Sequence, residues 1–120
     1  MTEESVEDKI LDIITPEHKL GHLLKKVCEP VTTMEYDDCE ELAREMHRAT
    51  YDKGVGLSAN QVVIDRRMVI IMEDSRSSKY LMMINPVIVN QGKKKVWGYE
   101  ACLSFPGKMA NVERYEIIDV

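Results

Sequence analysis

One long helical periodicity, followed only by short β-rich runs, is what most constrains this chain. Over residues 37–53, Leu42, Met46 and Ala49 recur on one face, with Cys39 one turn earlier and Ala43 beside them, while Arg44, Glu45 and Arg48 point elsewhere. Asp37 or Asp38 is placed to cap the N-terminus, and Glu40 and Glu41 suit its positive dipole end. Gly54 is expected to stop the helix in left-handed backbone. Strands are predicted next at 67–72, at 80–85 before Pro86, and at 87–90. Turns are read at 74–78 and 91–94, with 96–99 returning as a strand after the second, and 116–120 starts another strand inside which the chain ends. One helix ahead of hairpin-spaced strands predicts an α+β fold, the helix packed against antiparallel strands.

Ahead of the helix, residues 10–14 are apolar until Pro16 interrupts them. Leu20, Leu23, Leu24 and Val27 fall at i, i+3, i+4 and i+7, which predicts one or two helical turns ending before Pro30. Residues 1–8 are polar and acidic and are expected to be a disordered N-terminus, leaving 9–120 as a single domain.

Composition narrows the function classes. The 120 residues are 44% hydrophobic and 31% charged, enough for one core. A formal charge of −5 argues against a protein built on phosphate-backbone contacts, and the basic run Lys93-Lys94-Lys95 reads as a solvated turn, so no nucleic-acid partner is expected. Cys28, Cys39 and Cys102 are odd in number and widely spaced, which implies no disulfide framework. The first residues lack the apolar region of a secretory signal, and no run is long enough to cross a bilayer. A cytoplasmic protein with no membrane contact is the expectation.

Two segments have residues suited to chemistry. Gly54-Val55-Gly56-Leu57-Ser58-Ala59-Asn60-Gln61 offers backbone that a ligand can approach closely, with an amide donor at Gln61; taken alone it reads first as a helix end followed by a turn. Glu100-Ala101-Cys102-Leu103-Ser104-Phe105-Pro106-Gly107 sets a thiol beside a carboxylate and a hydroxyl where a strand ends. Taken alone, Cys102 is a small buried hydrophobe or a metal ligand or nucleophile.

Together they are more specific. GVGLSANQV resembles the first motif of peptide deformylases, GxGLAAxQ, and EACLS resembles their second, EGCLS, in the same order. The run Leu24-Lys25-Lys26-Val27-Cys28-Glu29-Pro30-Val31, Arg67, Ile84-Asn85-Pro86 and Glu113-Arg114 also match that family's pattern, so the resemblance covers 10–120. It implies hydrolysis of the formyl group from the N-terminal formyl-methionine of nascent proteins. It further implies one divalent metal, iron(II) by preference with zinc, nickel or cobalt as substitutes, held by a Cys and two His of an HExxH helix, with a water in the open position. By position, Cys102 would be the metal ligand. Gln61, through its side chain, and Leu103, through its backbone N–H, would donate to the oxyanion. Glu100 and Arg114 would support the second motif structurally, and Val55 and Gly56 would bind substrate through the backbone.

Some positions depart from the pattern. Ser58 stands for Ala, Asn60 for Pro and Val63 for a common Gly, all expected to be tolerable; Ala101 for Gly is expected to be less comfortable. The third motif is absent. The histidines are His18, His22 and His47; the first two are four apart but enclose no Glu and read as a solvated feature. The deformylase-like domain is therefore expected to be incomplete, its metal helix missing, and the 120 residues inactive or nearly so by themselves, with the metal itself lost. A fragment, a short form completed by a second chain or by self-association, and a non-catalytic peptide-binding module are the readings left open, with nascent chains and the ribosome as expected partners.

Overall fold

In the computed structural model, residues 10–120 are described; the expectation for residues 1–8 lies outside them. The elements run as a 3-10 turn (Gly21–Lys25), a second (Thr33–Glu35), helix α1 (Tyr36–Thr50), strand β1 (Gly56–Ser58), a third 3-10 turn (Ala59–Val62), then β2 (Met68–Ile71), β3 (Leu81–Ile84), β4 (Asn90–Gln91), β5 (Lys95–Ala101), β6 (Met109–Tyr115) and β7 (Ile118–Asp119). One helix on antiparallel strands makes the fold α+β, as predicted.

Helix α1 forms where the periodicity placed it, and its buried face is Cys39, Ala43, Met46, Ala49 and Thr50. Its start differs from expectation. Thr32 and Glu35 form a capping box around the Thr33–Glu35 turn, which runs directly into α1, so Asp37 and Asp38 sit in the first turn and serve the dipole instead of capping. Its end differs too. The helix stops at Thr50, and the left-handed residue is Asp52, at φ 62°, not Gly54.

The α1 face lies on a three-stranded antiparallel sheet in the order β1-β2-β3. Along β2 the inward residues alternate: Met68 and Ile70 are buried, and Met72 just beyond continues the period. With Val31, Leu57, Ala59 and Val62 they close the core around Met46. Each fully buried Met or Ile contributes about 1.5–3 kcal/mol of hydrophobic transfer. Strand β1 is the short edge of this sheet, paired on one side only.

The C-terminal strands pair differently from prediction. Residues 96–99 do not return on 87–90. Strand β5 pairs instead with β6, in register from Lys95↔Tyr115 to Ala101↔Met109, while β4 pairs with β7. Val87, Ile88 and Val89 stay outside strands and exposed.

Asn85 explains why Ile-Asn-Pro sits after β3. Its φ is 51°, a left-handed angle that Asn tolerates better than most residues. Its amide clamps the backbone of Val31 at both ends, accepting from Val31 N at 2.8 Å and donating to Val31 O at 2.9 Å. The clamp ties the segment leading into α1 to the end of the sheet.

Val63 adopts φ 65° immediately after the third 3-10 turn. A β-branched side chain in left-handed backbone is a true outlier, so this departure from Gly is a strained one. Replacing it removes about 2 kcal/mol of strain and adds about 1 kcal/mol of unfolded-state freedom. Val63→Gly is therefore expected to raise stability by about 1 kcal/mol in urea unfolding; a loss of stability would refute the strain. Ala101, the departure expected to be uncomfortable, sits in regular strand opposite Met109 and has no positive φ.

Candidate active site

The first motif is a short strand running into a tight turn. β1 carries Gly56, Leu57 and Ser58, with Leu57 pointing into the core. Ser58 then caps the Ala59–Val62 turn through a reciprocal box: its side chain accepts from the Gln61 backbone, and Gln61 Oε1 accepts from Ser58 N at 3.0 Å. The Gln61 carbonyl is held in turn by Ile14 N at 2.8 Å. The S-x-x-Q signal was present in the sequence, and the helix-end reading of this segment passed over it.

The second motif lies at the end of β5. After Ala101 the chain turns twice. Phe105 N donates to Cys102 O at 2.9 Å, and Lys108 N donates to Phe105 O at 3.2 Å. Pro106 and Gly107 occupy the centre of the second turn, with Gly107 at φ 76°, the arrangement of a type II turn. The double turn leaves Cys102 exposed and Ser104 buried.

The two motifs meet at Gln61. Its Nε2 lies 3.4 Å from Cys102 Sγ and donates to Ser104 Oγ at 3.1 Å. Because a backbone N–H can only donate, the Ser58 bond fixes which end of the amide is oxygen, and the NH2 end must face the sulfur. Ser104 is the partner that the sequence reading missed; its burial could not be read from a lone hydroxyl beside a cysteine. Leu103 is placed by a second contact. A Cβ on Gly54 would come 3.2 Å from Leu103 Cδ1, so Leu103 packs closely against the start of the first motif. The backbone of Gly54 has no left-handed angle.

Beside Cys102 is a hollow of about 410 Å³ lined by Glu100, Ala101, Phe105, Lys108, Met109 and Val112 among others. Val55 and Gly56 lie at the entry to β1. Val55 is exposed, its carbonyl accepts from Met72 N at 2.8 Å, and Gly56 is exposed on the edge strand.

Glu100 and Arg114 form a two-point ion pair across the β5–β6 hairpin, at 2.5 Å to Nε and 2.6 Å to Nη2. The Arg114 hydrogen bond, followed by its charge, holds the Glu100 carboxyl below its ordinary range. A lowered folded value means the pair's stabilisation is complete above the carboxyl's ordinary pKa and is lost as pH falls through the lowered one. Arg114→Gln is expected to return the Glu100 titration upward to the ordinary carboxylate range, read from its side-chain ¹³C shift; an unmoved midpoint would remove Arg114 as the cause.

The histidines are elsewhere. His18 lies in a turn where its Nδ1 accepts from Leu20 N at 2.9 Å, and His22 lies in the following 3-10 turn, so the two do not share a helix face. His47 of α1 bonds through Nε2 to Ser77 O at 2.7 Å and packs against Tyr51 and Tyr80. Among the described residues no three His, Cys, Asp or Glu side chains converge. One cysteine sulfur with an amide and a hydroxyl as neighbours does not fit a catalytic divalent ion, which needs three protein ligands.

Residues 10–120 match the sequence model of the polypeptide deformylase family. The chain belongs to the peptide deformylase family. A peptide deformylase of Hydrogenovibrio crunogenus is 33% identical over 108 residues, covering 89% of this chain and 60% of its own length. One from Endomicrobium trichonymphae is 41% identical over 96 residues, covering 79% and 56%. The crystal structure of a class I type b peptide deformylase from Acinetobacter baumannii with Met-Ala-Ser bound superposes with a TM-score of 0.78 at 27% identity, covering 92% of this chain and 74% of that one. The chain thus spans only 60% and 56% of the length of its two deformylase relatives. Among the described residues no helix is long and apolar enough to cross a membrane.

Proposed function

We propose that this chain forms the peptide-binding and oxyanion-binding part of a metal-dependent deformylase. The reaction is hydrolysis of the N-formyl group from the formyl-methionine of nascent proteins. The observation that carries this reading is the 3.4 Å approach of Gln61 Nε2 to Cys102 Sγ, across 41 residues of sequence. It sets an amide donor beside the sulfur that the family pattern makes a ligand. The Acinetobacter baumannii relative, with Met-Ala-Ser bound, supports a peptide as substrate.

The roles of the chain's own groups follow from that placement. The Gln61 side-chain amide and the Leu103 backbone N–H donate to the formyl oxygen as it gains negative charge, and their orientation is set before substrate arrives. Strand β1 has a free edge, on which the backbone of Gly56 receives an extended peptide, with Val55, whose carbonyl is held by Met72 N, beside it. The Glu100–Arg114 pair holds the strand that ends at Cys102. A divalent metal supplies a Lewis acid and an activated nucleophile in this chemistry. This chain offers only Cys102 toward it, so the further ligands and the general base come from an HExxH segment outside these residues, and the 120 residues alone have little or no activity.

The test is formate release from formyl-Met-Ala-Ser in the presence of cobalt(II), by the 120 residues and by the same chain extended with a helix bearing HExxH. Release by the extended protein alone is the expected result. An extended protein that folds and retains cobalt yet releases no formate would overturn the enzyme reading. Titration with the formylated peptide and its unformylated twin would then decide for the non-catalytic peptide-binding module.

A further inference from the structure

Two of the chain's departures from the deformylase pattern touch each other. Ser58 stands where the family usually has Ala, and Asn60 where it usually has Pro. Ser58 Oγ lies 2.6 Å from Asn60 Oδ1, and Asn60 Nδ2 donates to the carbonyl of Leu23 at 2.9 Å. A carbonyl only accepts, so the NH2 end of Asn60 faces Leu23 and its oxygen faces Ser58. The Ser58 hydroxyl proton therefore points at Asn60 Oδ1. Gln61 Oε1, at 3.1 Å, is a second and more distant acceptor for the same proton.

The remaining bonds carry this polarity on to the site. The Ser58 oxygen accepts from the Gln61 backbone, and Ser58 N donates to Gln61 Oε1. Gln61 Nε2 is left facing Ser104 and Cys102. Donor and acceptor are thus assigned at every link from the Leu23 carbonyl to the Cys102 sulfur. Alanine and proline at positions 58 and 60 would supply neither the hydroxyl nor the amide; the backbone bond from residue 58 to Gln61 Oε1 would remain, and the tie to Leu23 would be lost.

We infer that Ser58 and Asn60 are a coupled pair of positioning residues: the Ser58 backbone N–H sets the direction of the Gln61 amide, and the two side chains hold the turn that carries Gln61 against the Gly21–Lys25 turn, so that its NH2 stays on Cys102. What the aligned amide does in catalysis rests on the deformylase reading. The alignment itself does not, and it can be tested without turnover.

The experiment is ¹H–¹⁵N NMR of the 120-residue chain, following the Gln61 side-chain NH2. In the unaltered chain these protons should show nuclear Overhauser contacts to the β-protons of Cys102 and Ser104 and slowed exchange with water. Ser58→Ala/Asn60→Ala should weaken the contacts and speed exchange by about 10-fold, the worth of one such bond, while the backbone amides of α1 keep their protection. Because the links are in series, each single variant should lose most of what the double loses, and Ser58→Thr should retain the signals. If the double variant does not fold, Ser58→Ala, which restores the family's own residue, reads the same signals. Contacts and exchange unchanged in Ser58→Ala or in the double variant would overturn the pair. A formylated peptide that fails to bind would instead count against the deformylase reading and leave these signals where they are.

Discussion

Asn85→Ala is expected to lower the free energy of unfolding by about 3 kcal/mol. Two effects add. Val31 is buried, and its N–H and C=O both lose their partner, at about 1 kcal/mol each. Alanine must also hold the left-handed angle that Asn85 adopts, at about 1 kcal/mol more than asparagine. Urea unfolding followed by far-ultraviolet circular dichroism measures the sum. Asn85→Gly relieves the angle but adds about 1 kcal/mol of unfolded-state freedom, so it should cost about as much as Asn85→Ala. An Asn85→Ala cost about 1 kcal/mol below that of Asn85→Gly would remove backbone angle from the explanation.

Gln61→Ala, in the protein extended with the HExxH helix, is expected to lower turnover by about 10- to 1000-fold while metal stays bound. The amide touches the sulfur only through a donated hydrogen, so removing it takes nothing from ligation. It removes one of two donors to the charge that develops on the formyl oxygen, and such a donor acts mainly in the transition state. The loss should therefore fall on kcat more than on KM. Gln61→Glu keeps the size and the acceptor toward Ser58 but puts carboxylate oxygen where Nε2 donates to Ser104, and should be at least as damaging. Full turnover in Gln61→Ala would take Gln61 out of the site.

How much of this was legible in the sequence depended on the range of the interaction. Helix α1 could be read because Cys39, Ala43, Met46 and Ala49 repeat within a few residues of one another. Strand β2 could be read because Val69, Ile70 and Ile71 make a short run of β-branched residues. Strand β6 was missed. Met109–Tyr115 mixes charged, polar and apolar residues without a period, and it is a strand because β5 pairs with it along seven residues. The run Val87, Ile88, Val89 misled in the opposite sense, being rich in β-branched residues yet exposed and unpaired as a strand. The cap of α1 was misplaced because an acidic pair suits a first helical turn as well as a cap, and the Thr32–Glu35 box lies upstream in the 3-10 turn that runs into the helix. At the site, the motif resemblance named Gln61 and Cys102, but no local pattern brings residues 41 apart into contact. The seat for Leu103 at Gly54 and the acceptor at Ser104 are likewise products of the fold, and neither has a sequence period to announce it.

The sulfur at the end of β5 is the point on which the deformylase account depends, and metal content reads it directly. In the extended protein, elemental analysis after gel filtration should find one divalent ion per chain, retained in Gln61→Ala and lost in Cys102→Ala together with formate release. A Cys102→Ala protein that keeps its metal and still releases formate would contradict the account.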